Sequence, residues 1–186
     1  HMTMPVSYTS LEEEYKSLIN DVTLWDVAAE RQVEVVGEDA AKFVQYLTPR
    51  NLSTFKDGFC RYAFLTDENG GIINDPLILK FNDRKFWLSI ADSDALLWCK
   101  GVALSGNFRV QISEPEACPV SLQGPKSKDL MAKATNNSPE VMNLKYYQFV
   151  ETNVFGLDLV VARSGWSNQF GYEIYIKREE DGGSLW

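Results

Sequence analysis

Apolar and polar positions along this chain follow two rhythms, one helical and one of strict alternation. In Ser10–Asn20 (SLEEEYKSLIN), Leu11, Tyr15, Leu18 and Ile19 share one side of a helical repeat. Ser10 stands where an N-cap would, with Glu13 three positions on as in a capping box, so a helix is predicted there. Val22–Val27 is an apolar stretch, and Arg31–Val36 alternates like a strand that Gly37 ends. Glu38–Leu47 reads as a second helix and Arg61–Leu65 as a short strand. Ile72–Phe81 and Lys85–Ile90 read as two strands joined by a turn at Asn82-Asp83-Arg84. A third helix follows over Ser93–Leu104 and a strand over Phe108–Ile112.

The remaining pattern is richer in strands. Ala117–Leu122 is predicted as a strand broken by Pro119, and Gly124-Pro125 opens a fourth helix, Lys126–Ala134, after a sharp turn. Tyr146–Thr152, Leu157–Arg163 and Gly171–Ile176 complete the strands. Helices mixed with hairpins predict the α+β class, with helices packed on mixed or antiparallel sheets. The periodicity places Trp25, Val35, Phe43, Leu47, Leu79, Ile90 and Leu122 in the core. The bare Leu185-Trp186 end is expected to expose apolar surface for self-association, and to mark a protein that continues past residue 186.

Composition narrows the function. The 186 residues include 26 acidic and 18 basic ones, for a net charge of −8, with no Lys/Arg run, which disfavours nucleic acid as a partner. No apolar stretch approaches the ~20 residues of a membrane helix. The single histidine is His1, at the start of the chain, so a histidine-based triad or zinc site is not expected. Cys60, Cys99 and Cys118 are odd in number and widely spaced. They read as buried apolar residues of a cytoplasmic protein, and no metal site is expected.

Chemistry concentrates in three segments. Arg61–Pro76 (RYAFLTDENGGIINDP) carries Asp75 beside a proline within apolar surroundings, where a carboxylate needs a partner or solvent. The turn Ser121–Ser127 (SLQGPKS) puts Lys126 at a helix start, as an anion site or as a plain structural turn. In Arg163–Ile176 (RSGWSNQFGYEIYI), alternation sets Glu173 and Tyr175 on one face. A carboxylate among aromatic rings suits a flat heterocycle with ring N–H donors. The alternative is an amphipathic strand with Glu173 in water.

LWDVAAERQVEVVGEDAAKFVQYL, DENGGIINDPLI, QGPKS and SGWSNQFGYEIYI, in that order, resemble the folate-binding region of the glycine-cleavage T-protein (aminomethyltransferase) superfamily. Asn74-Asp75-Pro76, Trp87–Asp94 and Ala162–Gln169 are most similar to its dimethylsulfoniopropionate demethylase branch. The resemblance implies one folate-binding region over residues 1–186, tetrahydrofolate as cofactor and a small-molecule methyl donor. It implies that Asp75 lies beside the reactive nitrogen of the folate and that Glu173 binds the pterin's amino and N3 hydrogens. It further implies that Tyr62, Trp166 and Tyr175 line the cofactor and that Ser89 lies near the substrate. Asp75 and Glu173 are then expected to open into one cleft. T-proteins carry aspartate where this chain has Asn74 and glutamate where it has Gln169, which disfavours glycine-cleavage chemistry. The alternatives are an aminomethyltransferase and a non-catalytic folate-binding protein that aids iron–sulfur cluster assembly.

Overall fold

A computed structural model gives the fold and describes residues 5–90 and 94–186. His1, and Ser93 at the expected start of the third helix, lie outside the described residues. The first half of the chain forms α1 (Leu11–Asn20), β1 (Thr23–Asp26), β2 (Gln32–Gly37), α2 (Ala40–Tyr46), β3 (Phe59–Tyr62), β4 (Leu65–Thr66), β5 (Ile72–Asn74), β6 (Leu77–Asn82) and β7 (Lys85–Ser89). It continues through α3 (Ala95–Ser105), β8 (Val110–Ser113), β9 (Cys118–Gln123), α4 (Ser127–Ala134), α5 (Pro139–Met142), β10 (Phe149–Val154), β11 (Leu157–Ala162), β12 (Gly171–Ile176) and α6 (Gly182–Leu185). The Ser10 cap is present: the Glu13 N–H donates to the Ser10 hydroxyl at 3.3 Å.

Two compact units divide the chain, Glu30–Ala117 and the pair of segments His1–Ala29 and Cys118–Trp186. In the first, the sheet order is β3-β6-β7-β2-β8 with antiparallel neighbours. Alternation turns Val33 and Val35 of β2 to one face, where they pack with Phe43, Val44, Phe86 and Leu88 and with Cys99 of α3. In the second, the order is β1-β9-β12-β11-β10, again antiparallel. One face of this sheet buries Leu122, Leu159, Val161, Tyr172, Ile174 and Ile176 against Met131 of α4 and Val141 of α5. The class is therefore α+β, and the sheets are antiparallel rather than mixed.

The structure corrects several expectations. Ile72–Phe81 is two strands, because Asp75-Pro76 interrupts the ladder and Pro76 has no N–H to give. Arg61–Leu65 likewise divides, its start joining β3 and its end forming a two-stranded ribbon with β5. Pro119 does not break β9, since β1 ends opposite Val120 and leaves Pro119 facing β12 alone. The strand expected from Tyr146 starts at Phe149, because Tyr147 has φ of +62° and stacks on Tyr146.

Burial follows the pattern with exceptions. Val35, Phe43, Leu47, Leu79, Ile90 and Leu122 are buried, but Trp25 is only half-buried. On β1, Leu24 takes the apolar face and alternation turns Trp25 to the opposite one. Cys60 and Cys99 are buried, and burial pushes the Cys99 thiol up to about 12, whereas Cys118 is half-buried. Leu185 packs against the apolar cluster, so of the terminal pair only Trp186 is exposed. No helix among the described residues is long and apolar enough to cross a membrane.

Phe43 has no exposure and Tyr15 is 60% exposed. Phe43→Ala is expected to lower unfolding free energy by ~3–5 kcal/mol and Tyr15→Ala by under ~0.5 kcal/mol, measured by urea denaturation. Equal losses for the two would contradict the assigned core.

Candidate functional site

Strand β12 (GYEIYI) is buried along its whole length although it alternates in character. Tyr172, Ile174 and Ile176 enter the apolar cluster. Gly171, Glu173 and Tyr175 therefore point to the other face. Directly opposed residues share a face, so Glu173 lies beside Ser121 of β9 and Ala162 of β11, and Gly171 lies beside Gln123. Ser121 is opposed on its other side by Trp25 of β1. This face is thus polar, yet Ser121, Gln123, Ser164 and Glu173 are all buried.

Glu173 is 6% exposed, which excludes the water-facing alternative. The Ser164 hydroxyl donates a short hydrogen bond to Glu173 Oε2. Loss of water pushes the Glu173 carboxyl above its ordinary range, opposed first by the Ser164 hydrogen bond and then by the Tyr175 hydroxyl. A carboxylate offers roughly four acceptor positions, so the Ser164 donor leaves capacity for N–H groups of a ligand. Tyr175 has no exposure. Trp166 is 72% exposed and packs edge-on against Trp25, with ring centroids 6.0 Å apart. Trp25 in turn donates its indole N–H to the Thr23 hydroxyl at 2.5 Å.

Asp75, Tyr62 and Ser89 belong to the Glu30–Ala117 unit. Asp75 is exposed and follows β5, and the Tyr62 hydroxyl donates to its Oδ2 at 2.8 Å. That bond is the main cause of a raised Tyr62 phenol, because it favours the protonated form. Phe64 packs edge-on against Tyr62 at 5.6 Å. Asp75 thus has an aromatic, hydrogen-bonding neighbour and open access to solvent. Ser89 is buried opposite Leu77, two residues past Asp75. Asn74 is buried at the end of β5, and Gln169 is half-buried in the loop before β12.

The QGPKS turn is structural. Lys126 pairs with Asp21 at 3.1 Å, and the Ser127 hydroxyl donates to the carbonyls of Gly124 and Phe170 at 2.7 and 2.9 Å. No group of His, Cys, Asp and Glu that could hold a metal is found among the described residues. Sequence reasoning missed Ser164, Ser121, Gln123 and Trp25. Alternation along Ser121-Leu122-Gln123 carries the same signal as that along Gly171–Tyr175, whereas Ser164 sits in an irregular loop with no periodicity to reveal it.

The model of the GCVT N-terminal domain matches residues 1–186. The chain belongs to the GCVT N-terminal domain family. It is 39% identical, over all of its length and 50% of the relative's, to the dimethylsulfoniopropionate demethylase DmdA of Ruegeria pomeroyi. It is 30% identical to the aminomethyltransferase of Thermosipho melanesiensis, over 98% of the chain and 51% of the relative. The chain therefore spans about half the length of the curated relatives it matches. The crystal structure of glycine cleavage system aminomethyltransferase T from Bartonella henselae superimposes with a TM-score of 0.86 at 24% identity, over 98% of this chain and 49% of that one. That likeness establishes the T-protein fold.

Glu173 also yields a stability prediction. Its carboxyl titrates higher in the folded state than the unfolded value of about 4.3. The native state therefore holds the proton more tightly, and stability present below the unfolded value is lost as pH rises through the folded one. Glu173→Gln removes that loss. It is expected to raise the unfolding free energy relative to the parent at pH 7–8, by about 1.4 kcal/mol for each pH unit separating the two titrations, with no gain near pH 4, measured by urea denaturation. A variant less stable than the parent at pH 8 would contradict the assigned burial cost.

Proposed function

We propose that the complete protein is a cytoplasmic, tetrahydrofolate-dependent methyltransferase that demethylates dimethylsulfoniopropionate to 3-methylthiopropionate, with formation of 5-methyltetrahydrofolate. The observation that carries the folate reading is Glu173, a buried carboxylate with acceptor capacity left over. A reduced pterin presents amino and ring N–H donors side by side, which a carboxylate accepts in pairs. The residues present therefore fit the group. Higher identity to the demethylase than to the aminomethyltransferases supports the choice of donor, as do Asn74 and Gln169 in place of carboxylates.

The folate, when bound, supplies a secondary amine nucleophile at N5. That amine would accept the methyl group as the methyl carbon–sulfur bond of the donor breaks. The sulfur keeps the electron pair and leaves as a neutral thioether, so the leaving group needs no acid. Asp75 orients the amine and takes the proton it sheds. Tyr62 holds Asp75 by its hydroxyl. The exposed ring of Tyr62, beside Asp75, offers a face to a sulfonium, worth ~0.5–2 kcal/mol, and Trp166 is a candidate for lining the cofactor. Tyr175 acts through its hydroxyl on Glu173, and Ser89 lies on the substrate side. Fixing the two reactants in line supplies most of the rate, for which ~7–11 kcal/mol is available from positioning.

The test is formation of 5-methyltetrahydrofolate by the full-length protein with dimethylsulfoniopropionate as donor. In that assay Asp75→Asn is expected to lower kcat by about a hundredfold, and Glu173→Gln to weaken folate binding by about tenfold with a smaller effect on kcat. Turnover with aminomethyl-lipoyl protein but none with the sulfonium would overturn the donor. Unchanged kcat in Asp75→Asn would overturn the role of Asp75.

A further inference from the structure

We infer that Gln123 is the positioning residue that fixes the Ser164 hydroxyl on Glu173, an inference that rests on Glu173 being the pterin-binding carboxylate. Gln123 ends β9 and is 2% exposed. Its amide nitrogen lies 3.0 Å from the Ser121 hydroxyl, 3.3 Å from the Ser164 carbonyl and 3.4 Å from the Tyr172 carbonyl. Its amide oxygen accepts from the Ser167 hydroxyl at 2.7 Å. That one side chain thus ties β9 to both ends of the segment that turns from β11 into β12. Ser164 is the residue whose hydroxyl donates to Glu173. Ser121, the cross-strand neighbour of Glu173, is held by the same amide.

The backbone is built around this amide. A Cβ at Gly165 would lie 2.4 Å from both the nitrogen and the oxygen of the Gln123 amide, and Gly165 has φ of +144°. A Cβ at Gly171 would lie 2.4 Å from the same nitrogen. Either side chain would evict the amide, so both positions suit glycine. The chemistry also requires an amide. A glutamate here would set a carboxylate against two carbonyl oxygens with no proton to offer them. An alanine would leave those carbonyls and the Ser167 hydroxyl without their partner. In either case the Ser164 backbone loses its anchor, and its hydroxyl loses its aim.

The groups that act on Glu173 from neighbouring elements are the Ser164 and Tyr175 hydroxyls, and no charged side chain contributes. Burial raises its titration and the Ser164 bond opposes that rise, so losing the Ser164 bond in a folded variant moves the titration further up. The experiment is carbon-13 NMR of carboxyl-labelled glutamate in the full-length protein, with Glu173→Gln assigning the signal. Binding of 5-formyltetrahydrofolate is measured alongside as the probe. Gln123→Ala is expected to move the Glu173 titration to higher pH and to weaken the probe about tenfold. Combined with Glu173→Gln, it should add little further loss, since the two act through one bond. Ser167→Ala removes one hydroxyl from a half-buried loop and should move the titration in the same direction by less. It carries the test if Gln123→Ala fails to fold. An unmoved Glu173 titration in a folded variant overturns the inference, as do additive losses in the double variant. A moved titration in a protein that does not bind the probe even as wild type retains the Gln123–Ser164–Glu173 coupling and overturns the folate reading alone.

Discussion

Burying a carboxylate costs several kcal/mol unless hydrogen-bond donors replace the water it gives up. Glu173 meets that cost only in part. The Ser164 hydroxyl serves it from the loop ahead of β12, and its carboxyl still titrates above the ordinary range. A group left in that state gains from any ligand that brings N–H donors. The arrangement around it, from the buried serines to the clamped amide of Gln123, keeps an under-satisfied acceptor in place.

The sheet that carries Glu173 does two jobs with one alternation. Its apolar face holds Leu122, Tyr172, Ile174 and Ile176 against α4 and α5 and supplies cohesion. Its polar face carries Ser121, Gln123, Glu173 and Tyr175 in register across β9 and β12. A one-residue slip between these strands would exchange the faces and bury the polar set in the apolar cluster. Register is therefore part of the site. In the other unit, the ladder break at Asp75-Pro76 leaves an exposed carboxylate beside the Tyr62 hydroxyl, where a regular strand would have continued.

Much of this was legible in the residue pattern. The Ser10 cap follows from residue type, and the strand of Gly171–Ile176 and the placement of Glu173 with Tyr175 follow from local periodicity, because side-chain direction in a strand is set by its neighbours in sequence. Burial of Glu173 was not legible, since the same alternation fits a strand with one face in water. What buries a strand on both faces is long-range pairing, which no local window contains. Trp25 failed as a core residue for a similar reason: its size argued for the interior, but its parity on β1 sets it opposite Leu24, beside Ser121. Ser164 and Gln123 lie about forty residues apart, and only the β9–β12 pairing makes them neighbours. The break in Ile72–Phe81 was signalled by Pro76 and was outweighed by the run of apolar residues around it.

Burial raises the Glu173 carboxyl above its ordinary range, and the N–H donors of a ligand would favour its charged form. Ligand binding must then expel a proton from it. Calorimetry of 5-formyltetrahydrofolate binding to the full-length protein, in buffers of different ionisation enthalpy between about pH 4.5 and 8, measures that proton. The account predicts proton release on binding in the parent that disappears in Glu173→Gln. Binding with the same proton count in the parent and in Glu173→Gln at every pH would contradict it.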